Sequence, residues 1–146
     1  MTQHAPNHPD PVNAPQFYSS VPIKRFIAWI IDTVITVILS LLIVPFTAFT
    51  GLFFLPLLFL VVGFGYRSVT IGASSATFGM RMMSIELRDA RGERFDFSQA
   101  LMHTLGFTIC TMFFLLQVLS AIMMLGTARG QGLPDMVLGS VMINRR

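Results

Sequence analysis

Charged residues are scarce in this chain, and two long segments have none. Acidic and basic residues make up 12% of the sequence, against a usual share of about 25%. No Asp, Glu, Lys or Arg occurs from Thr33 to Tyr66 or from Phe97 to Ala128. Each segment exceeds the roughly 20 apolar residues that a helix needs to cross a bilayer. Because 53% of all residues are hydrophobic, a small soluble fold could not bury both segments, and we expect an integral membrane protein.

The chain also lacks the groupings that support catalysis or metal binding. Its single cysteine, Cys110, cannot form an internal disulfide, and His103 lies two helical turns away with no further ligands nearby. The sequence GASSA is not a nucleophile elbow, and TFGMR lacks the spacing of a phosphate-binding loop. We therefore expect no enzyme, cofactor or metal. The net charge of +3 comes from basic residues that flank apolar segments, so nucleic-acid binding is not expected.

Hydropathy divides the chain into a tail and a membrane domain. Residues 1–22 contain five prolines among polar residues and too little apolar surface to fold, so we expect a disordered tail. Residues 23–146 form the membrane domain. The predicted spans cover residues 26–44, 52–71 and 99–125. Pro45 is expected to end the first span, and a short uncharged turn then makes a helical hairpin with the second.

The polar connection between the second and third spans predicts a β-hairpin. Met83, Ile85 and Leu87 alternate with polar residues, which is the period of a strand, and residues 89–92 supply a turn. The segment 136–143 is too short to cross a bilayer as a helix and is a candidate strand partner for this hairpin. The predicted fold class is therefore an all-α membrane protein, a small bundle of about three transmembrane helices with a short cytoplasmic β-hairpin.

The positions of basic residues predict the orientation. Lys24 and Arg25 precede the first span, and the turn between the first two spans has no basic residue. Five arginines lie at the end of the second span and in the polar loop after it, namely Arg67, Arg81, Arg88, Arg91 and Arg94. Cytoplasmic segments carry the basic excess, so we place the N-terminus and the polar loop in the cytoplasm. Three crossings would put the C-terminal tail outside, although it carries Arg129 and two terminal arginines. We favour three spans; the alternatives are an interfacial start to the third segment or a re-entrant segment near Gly106.

Asp32 is the only charged residue between Arg25 and Arg67. An ionised carboxylate in hydrocarbon costs roughly 2.5–3.5 kcal/mol, so a partner, a wet cavity or a proton must relieve it. Arg25, two turns earlier, is one candidate partner, and Arg67 or Arg129 is another. In the alternative interpretation Asp32 binds a proton or a cation, and His103 adds a second group that ionises near neutral pH.

Polar residues recur at helical spacing in two of the apolar segments. On the first span these residues are Asp32, Thr36 and Ser40. On the third they are His103, Cys110 and Gln117. Small and polar residues mark contacts between helices in a bilayer, so we expect the two faces to meet. Interhelical hydrogen bonding is the commoner role of such faces, and a substrate path is the rarer one.

Three separated motifs resemble the RDD family of bacterial membrane proteins, named for one arginine and two aspartates. RFIAWIID puts Arg25 at the start of the first membrane helix and Asp32 inside it, and LPDMVLGSVMI supplies the second aspartate, Asp135. Between them, TFGMRMMSIELRDARG is similar to the family's TxGK stretch, strand and turn through Thr77 and Gly79. The resemblance covers about residues 21–144.

The chain departs from the family pattern at three positions. Met80 stands where a lysine is common, Pro134 stands where a histidine often precedes the second aspartate, and His103 stands where an arginine is common. Any role that those basic groups have in the family does not transfer to this chain.

The resemblance implies a multi-pass protein of a bacterial inner membrane, in a family whose molecular function is largely unestablished and for which transport has been suggested. Our leading expectation is movement of an ion or small solute by an oligomer, because one copy has too few helices to enclose a pore. The alternative is a non-transporting accessory or scaffold subunit with a membrane partner, in which Arg25, Asp32 and Asp135 are structural. If the tail returns to the cytoplasmic face, Arg25 and Asp135 are expected to pair, and exchanging them is expected to restore folding.

Overall fold

The computed structural model describes residues 8–9 and 11–144, which contain six α-helices and one two-stranded sheet. In chain order these elements are α1 (Val21–Ile43), α2 (Leu55–Ser74), α3 (Phe78–Met82), β1 (Ile85–Arg88), α4 (Phe97–Met112), α5 (Phe114–Gly126), α6 (Leu133–Leu138) and β2 (Val141–Asn144). The chain is therefore mostly helical, and its small sheet is built from the central loop and the C-terminal tail.

α1 and α2 form a helical hairpin, and α1 ends just before Pro45, as predicted. α1 ends two residues before Pro45, and two short 3-10 segments connect it to α2. Ala48 and Phe49, between those segments, have φ values of 54° and 63°, and this left-handed pair helps to reverse the chain. With the flanking turns included, Pro15–Thr47 and Thr50–Ser74 are each long and apolar enough to cross a membrane.

The third apolar segment is two helices and not one. α4 and α5 are separated only by Phe113, and the helix direction changes by 118° between them. No proline or glycine marks this break. Tertiary contacts accompany it, since α4 packs on α2 and α6, and α5 packs on α6. The segment predicted as the third span, residues 99–125, is therefore not one continuous helix. The bend is that of a broken span or of the re-entrant alternative. The described residues hold two membrane-length helices, or three if the bent pair counts as one span.

β1 pairs along its whole length with β2, and the residues that directly follow it contribute a single bridge. The strands are antiparallel, with Leu87 opposite Met142. The chain does turn after β1, but on its return it makes only one bridge among the described residues, between Arg88 and Arg94. Asp96 then caps α4 and takes the chain away from the sheet. The predicted turn therefore forms, but the second strand of the predicted loop hairpin is reduced to that one bridge. The tail, the candidate strand partner of the hairpin, pairs with β1 along its length.

The apolar core lies at the end of the helical hairpin where the loop elements pack. Its members are Val21, Ala28, Ile71, Ala76, Met80, Ile85, Leu87, Phe95, Ala100 and Met142. Away from this end, apolar side chains stay exposed, as at Ile38 and Leu42 on α1 and Leu57 on α2. Large exposed apolar surface on long helices is what a lipid environment requires. Together with the helix lengths, it indicates a membrane protein.

The described part of the predicted tail contacts the C-terminal strand. Positions 1–7 and 10 of the predicted segment 1–22 lie outside the described residues. Further along, Pro15–Phe17 forms a single 3-10 turn, and Asn144 Nδ2 donates hydrogen bonds to the carbonyl oxygens of Gln16 and Ser19. Local order therefore begins earlier in the chain than its composition indicated.

Candidate functional site

Asp32 is the centre of a polar cluster between α1, α2 and α3, and it is only 4% exposed. Its Oδ1 accepts hydrogen bonds from the Tyr66 hydroxyl at 2.8 Å and from the Gly79 amide at 2.9 Å. Its Oδ2 accepts from the Thr77 hydroxyl. Arg67 Nη1 lies 3.9 Å from Oδ2, which is too long for a hydrogen bond but allows charge attraction. We call these five residues the Asp32 cluster.

Two residues bring the first turn of α3 against Asp32. Thr77 is the N-cap of α3, and its hydroxyl oxygen accepts a hydrogen bond from the Met80 amide at 3.2 Å. At Gly79, a β-carbon would lie 2.4 Å from the Ala28 carbonyl oxygen and 2.8 Å from Asp32 Oδ1. Only glycine therefore lets α3 approach α1 this closely.

Asp135 is the centre of a second cluster, which joins the start of α1 to the tail. Its Oδ2 accepts hydrogen bonds from Arg25 Nη1 at 2.6 Å and from the Gly132 amide at 3.0 Å. Its Oδ1 lies 2.8 Å from His103 Nε2 and accepts from the Ser140 hydroxyl at 3.3 Å. We call these five residues the Asp135 cluster. Arg25, one of the partners considered for Asp32, therefore binds Asp135, and Asp32 faces Arg67.

The Asp135 carboxylate is held in its ionised form although it is fully buried. Burial alone raises the pKa of Asp135, but the nearby Arg25 guanidinium and the His103 ring outweigh it and hold that pKa well below its usual range. Because an ionised carboxylate only accepts hydrogen bonds, His103 Nε2 carries the proton of this contact. His103 Nδ1 is buried without a hydrogen-bond partner among the described residues.

A third buried carboxylate, Asp89, holds the loop after β1. Asp89 accepts hydrogen bonds from the amides of Arg91 at 2.9 Å and Glu93 at 2.8 Å, and from Gln99 Nε2 on α4 at 2.9 Å. Burial raises the pKa of Asp89, but the Gln99 hydrogen bond, the two amides and the Arg91 charge together bring it below its usual value. The loop is therefore tied to the first turn of α4.

The polar face predicted on α1 is buried, but its hydroxyl groups bind within the helix. Thr36 Oγ1 donates to the Asp32 carbonyl oxygen and Ser40 Oγ to the Thr36 carbonyl oxygen, each at 2.8 Å. Such bonds to the preceding turn satisfy the hydroxyl locally. Neither side chain therefore donates to another helix in the part of the chain that is described.

The polar face predicted on the third segment is split by the helix break. His103 belongs to the Asp135 cluster, and Cys110 is buried as a free thiol on α4. Gln117 lies beyond the break on α5, so the single face predicted for these three residues is wrong. α4 packs mainly on α2. It faces α1 across a cavity that both helices line, so the expected packing of the two polar faces against each other is not found among the described residues.

This cavity, of about 510 Å³, brings the two clusters to one surface. Arg25, Asp32, Arg67 and Gln117 supply much of its polar lining. Apolar side chains of α1, α4 and α5 make most of the remaining wall. Among the described residues, no group of three or more His, Cys, Asp or Glu side chains is arranged to hold a metal ion.

Sequence reasoning identified some of these residues and missed others. The sequence motifs pointed to Arg25, Asp32 and Asp135 as centres, and the charge pattern pointed to Arg67. Neither signal gave a role to Tyr66, although a hydroxyl in the last turns of an apolar span is a signal for a buried polar contact. The partners Gly132 and Ser140 flank the Asp135 motif and carry no signal that sets them apart from ordinary turn residues.

Comparison with known proteins supports the motif assignment. Neither a curated protein nor a solved structure matches this chain. The family model of the RDD family matches residues 20–139, which include Arg25, Asp32 and Asp135. Since this match covers most of the sequence, the chain belongs to the RDD family.

Proposed function

We propose that this RDD family protein is a non-transporting membrane subunit, an accessory or scaffold protein in which Arg25, Asp32 and Asp135 hold the fold. The observation that carries the proposal is that all four carboxylate oxygens of Asp32 and Asp135 already have protein partners. Asp32 accepts hydrogen bonds from Tyr66, Thr77 and Gly79. The Asp135 oxygens accept hydrogen bonds from the four other residues of the Asp135 cluster.

A carrier site has to bind and release its ion, and these carboxylates are poorly suited to that exchange. A cation on Asp32 would compete for the carboxylate with the hydroxyl groups of Thr77 and Tyr66 and with the Gly79 amide. A displaced Thr77 or Gly79 donor would be left buried without a partner. Each such loss costs about 1–3 kcal/mol. Asp135 is also paired with Arg25, and removing one partner of a buried ion pair is strongly destabilising. A structural role explains why the acids are retained in apolar surroundings.

Flux measurements on reconstituted vesicles test this proposal. Vesicles that contain wild-type protein, Asp32→Asn or Tyr66→Phe would be loaded with a pH-sensitive dye and given opposed sodium and proton gradients. We expect no flux above that of protein-free vesicles for wild type, and a lower melting temperature for Asp32→Asn. Proton-coupled cation flux in wild type that disappears in folded Asp32→Asn would overturn the proposal.

Transport by an oligomer is the second candidate, and the cavity is the observation that favours it. A space of about 510 Å³ that reaches Arg25, Asp32 and Arg67 is large enough for a small solute. One copy has too few helices to enclose a path, so this candidate requires self-association or a partner membrane protein. Crosslinking in the same vesicles, read together with flux, separates an oligomeric transporter from a subunit that awaits another partner.

The proposal includes a location and an orientation. We propose a multi-pass protein of a bacterial inner membrane, with its N-terminus, central loop and tail all on the cytoplasmic side. The contacts of Arg25 with Asp135 and of β1 with β2 support one common side for these segments, and that end also carries the basic residues of the loop. The α4–α5 pair is then re-entrant, so the lipid bilayer is crossed twice.

A further inference from the structure

The cavity beside the two clusters combines apolar walls with two arginines. Its polar lining includes Arg25 and Arg67, whereas its apolar lining includes Ile23, Phe26, Trp29, Phe107, Ala121 and Leu125. A small hydrophilic ion would leave most of this wall unmatched. A ligand that fits has an apolar body and a polar head, because binding sites pair apolar surface with a few placed polar groups.

Arg67 has unused hydrogen-bonding capacity at this cavity. The residue is 8% exposed, and its Nε has no hydrogen-bond partner among the described residues. Its closest carboxylate oxygen, on Asp32, is 3.9 Å from Nη1, and the Phe107 ring centre lies 3.8 Å from its guanidinium carbon. A buried guanidinium with unpaired N–H groups is costly, and a phosphate or carboxylate fits its planar fork.

The charges around the cavity cancel, because Asp135 faces Arg25 and Asp32 faces Arg67. What favours an anion here is the unused N–H groups of Arg67. Arg25 is neutralised by Asp135 at 2.6 Å. The Asp32 carboxylate is already bound by Tyr66, Thr77 and Gly79, so its attraction for Arg67 acts without a direct hydrogen bond. An anion that enters the cavity therefore meets Arg67 without having to displace a hydrogen bond of the protein.

The position of the cavity along the helices matches a lipid headgroup. Arg25 lies in the first turns of α1 and Arg67 in the last turns of α2, so both are near one end of the helical hairpin. This is the level at which headgroups meet hydrocarbon. Basic pockets between membrane helices on the cytoplasmic side bind anionic headgroups. The apolar wall from Trp29 to Leu125 can then contact acyl chains.

We infer that this cavity binds a phosphate-bearing anionic amphiphile, a phospholipid such as phosphatidylglycerol. Arg67 donates hydrogen bonds to the phosphate, and the acyl chains lie against α1 and α5. The same phosphate chemistry is available from a free phosphate ester, and the experiment distinguishes these sources. The inference goes beyond the proposed function, because neither a scaffold nor a transporter requires a bound lipid at this position.

Trp29 provides the measurement, since it is the only tryptophan of the chain and lines the cavity. Full-length protein is placed in phosphatidylcholine vesicles that contain a minor fraction of tail-brominated phosphatidylglycerol or of tail-brominated phosphatidylcholine. We expect the brominated phosphatidylglycerol to quench Trp29 with an apparent affinity about fivefold higher than that of the brominated phosphatidylcholine. This is the gain in affinity that one arginine gives for an anionic lipid. In Arg67→Gln the two brominated lipids should quench Trp29 with about the same affinity, a ratio of about one.

Two further variants separate the site from general effects. Ala121→Phe fills the cavity from α5 without changing a charge or a cluster residue, and it should also abolish the preference. Arg91→Gln removes an arginine whose side chain is 70% exposed in the loop, and it should keep the preference. Melting temperatures identify any variant that has not folded, and Ala121→Phe keeps the test decisive if Arg67→Gln fails to fold.

Competition by a soluble phosphate ester shows whether the cavity recognises the phosphate alone or the whole lipid. If glycerol phosphate, compared with sodium chloride of equal ionic strength, reverses the specific quenching, the phosphate alone is recognised and a free ester is a sufficient ligand. If it does not, the lipid is the ligand. Equal quenching by the two brominated lipids in wild type would overturn the inference. So would a preference that persists in folded Arg67→Gln and Ala121→Phe, because it would reflect general attraction to anionic lipid.

Discussion

Arg25 and Asp135 are 110 residues apart in the sequence, yet Arg25 Nη1 and Asp135 Oδ2 are 2.6 Å apart. The pair joins the start of the first membrane helix to the segment that follows the last apolar helix. Arg25 also donates to the Gly130 carbonyl oxygen at 3.0 Å, and His103 approaches Asp135 from α4. One buried carboxylate therefore fixes three parts of the chain relative to each other.

The Arg25–Asp135 pair should contribute strongly to stability. Arg25→Gln and Asp135→Asn are each expected to lower the free energy of unfolding by about 3–5 kcal/mol, because each change leaves a buried polar group without its partner. The double variant should cost less than the sum of the two. Denaturant unfolding in detergent micelles measures all three, and Arg91→Gln, at an exposed side chain, should change stability by about 0.5 kcal/mol or less. Additive effects in the cycle would contradict a direct interaction.

Exchanging the two residues should not restore folding, in contrast to the expectation from sequence. Asp135 is surrounded by donors, since His103, Gly132 and Ser140 all direct hydrogen-bonding groups at its oxygens. Asp135→Arg would place a guanidinium, which has no acceptor, among those donors. We therefore expect Arg25→Asp with Asp135→Arg to be as unstable as the worse single variant, measured by its yield of monodisperse protein. Recovery of wild-type yield would indicate that the charge pair alone determines the site.

Local patterns predicted the helical hairpin and the centres of the site, because both have signals in contiguous sequence. The charge-free segment and Pro45 mark the first two helices, and the alternation around Ile85 and Leu87 marks β1. The motif around Asp135 led to the prediction that Asp135 pairs with Arg25. These features depend on hydropathy, on helix and strand periods and on a family pattern, all of which can be read within a few turns.

The features that sequence did not predict depend on distant contacts. The break at Phe113 has no proline or glycine, and it accompanies the packing of α4 on α2 and of both α4 and α5 on α6. β1 pairs with the distant tail, and the nearer segment makes only the Arg88–Arg94 bridge before Asp96 caps α4. Tyr66 reaches Asp32 across 34 residues of sequence, a distance at which no local period gives information.

The close approach of α3 to α1 should make Gly79 intolerant of a side chain. Gly79→Ala places a methyl group 2.4 Å from the Ala28 carbonyl oxygen, so α3 must move and the Asp32 cluster loses contacts. We expect a loss of about 1–3 kcal/mol, the usual cost of overpacking. Gly65→Ala in α2 is the matched control, because a β-carbon at Gly65 would have no neighbouring atom within 4 Å, and alanine favours helix by about 1 kcal/mol. Equal melting temperatures for the two variants would contradict this packing.

Acid should destabilise the protein through Asp89 and Asp135, whose pKa values lie below the ordinary 3.8 in the folded state. Below about pH 4 the unfolded chain binds more protons than the folded one, so this stability is present above the unfolded pKa and is lost as pH falls through the folded values. We expect a melting temperature that is steady near pH 7 and decreases below about pH 4. The melting temperature of Asp89→Asn should be lower than that of wild type near pH 7 and should decrease less steeply as the pH falls. A melting temperature that rises with acid would contradict the assignment.

Labelling of single cysteines in intact cells should show how many times the chain crosses the membrane. In a Cys110→Ala background, cysteine is introduced at Thr50 in the turn after α1, at Arg94 in the central loop and at Val137 in α6, all of which are exposed. The contacts that tie the tail to Arg25 and β1 put Arg94 and Val137 at one end of the hairpin and Thr50 at the other. A membrane-impermeant maleimide should therefore label only Thr50→Cys until the cells are permeabilised. Labelling of Val137→Cys together with Thr50→Cys would require a third complete crossing, which the Arg25–Asp135 contact does not allow.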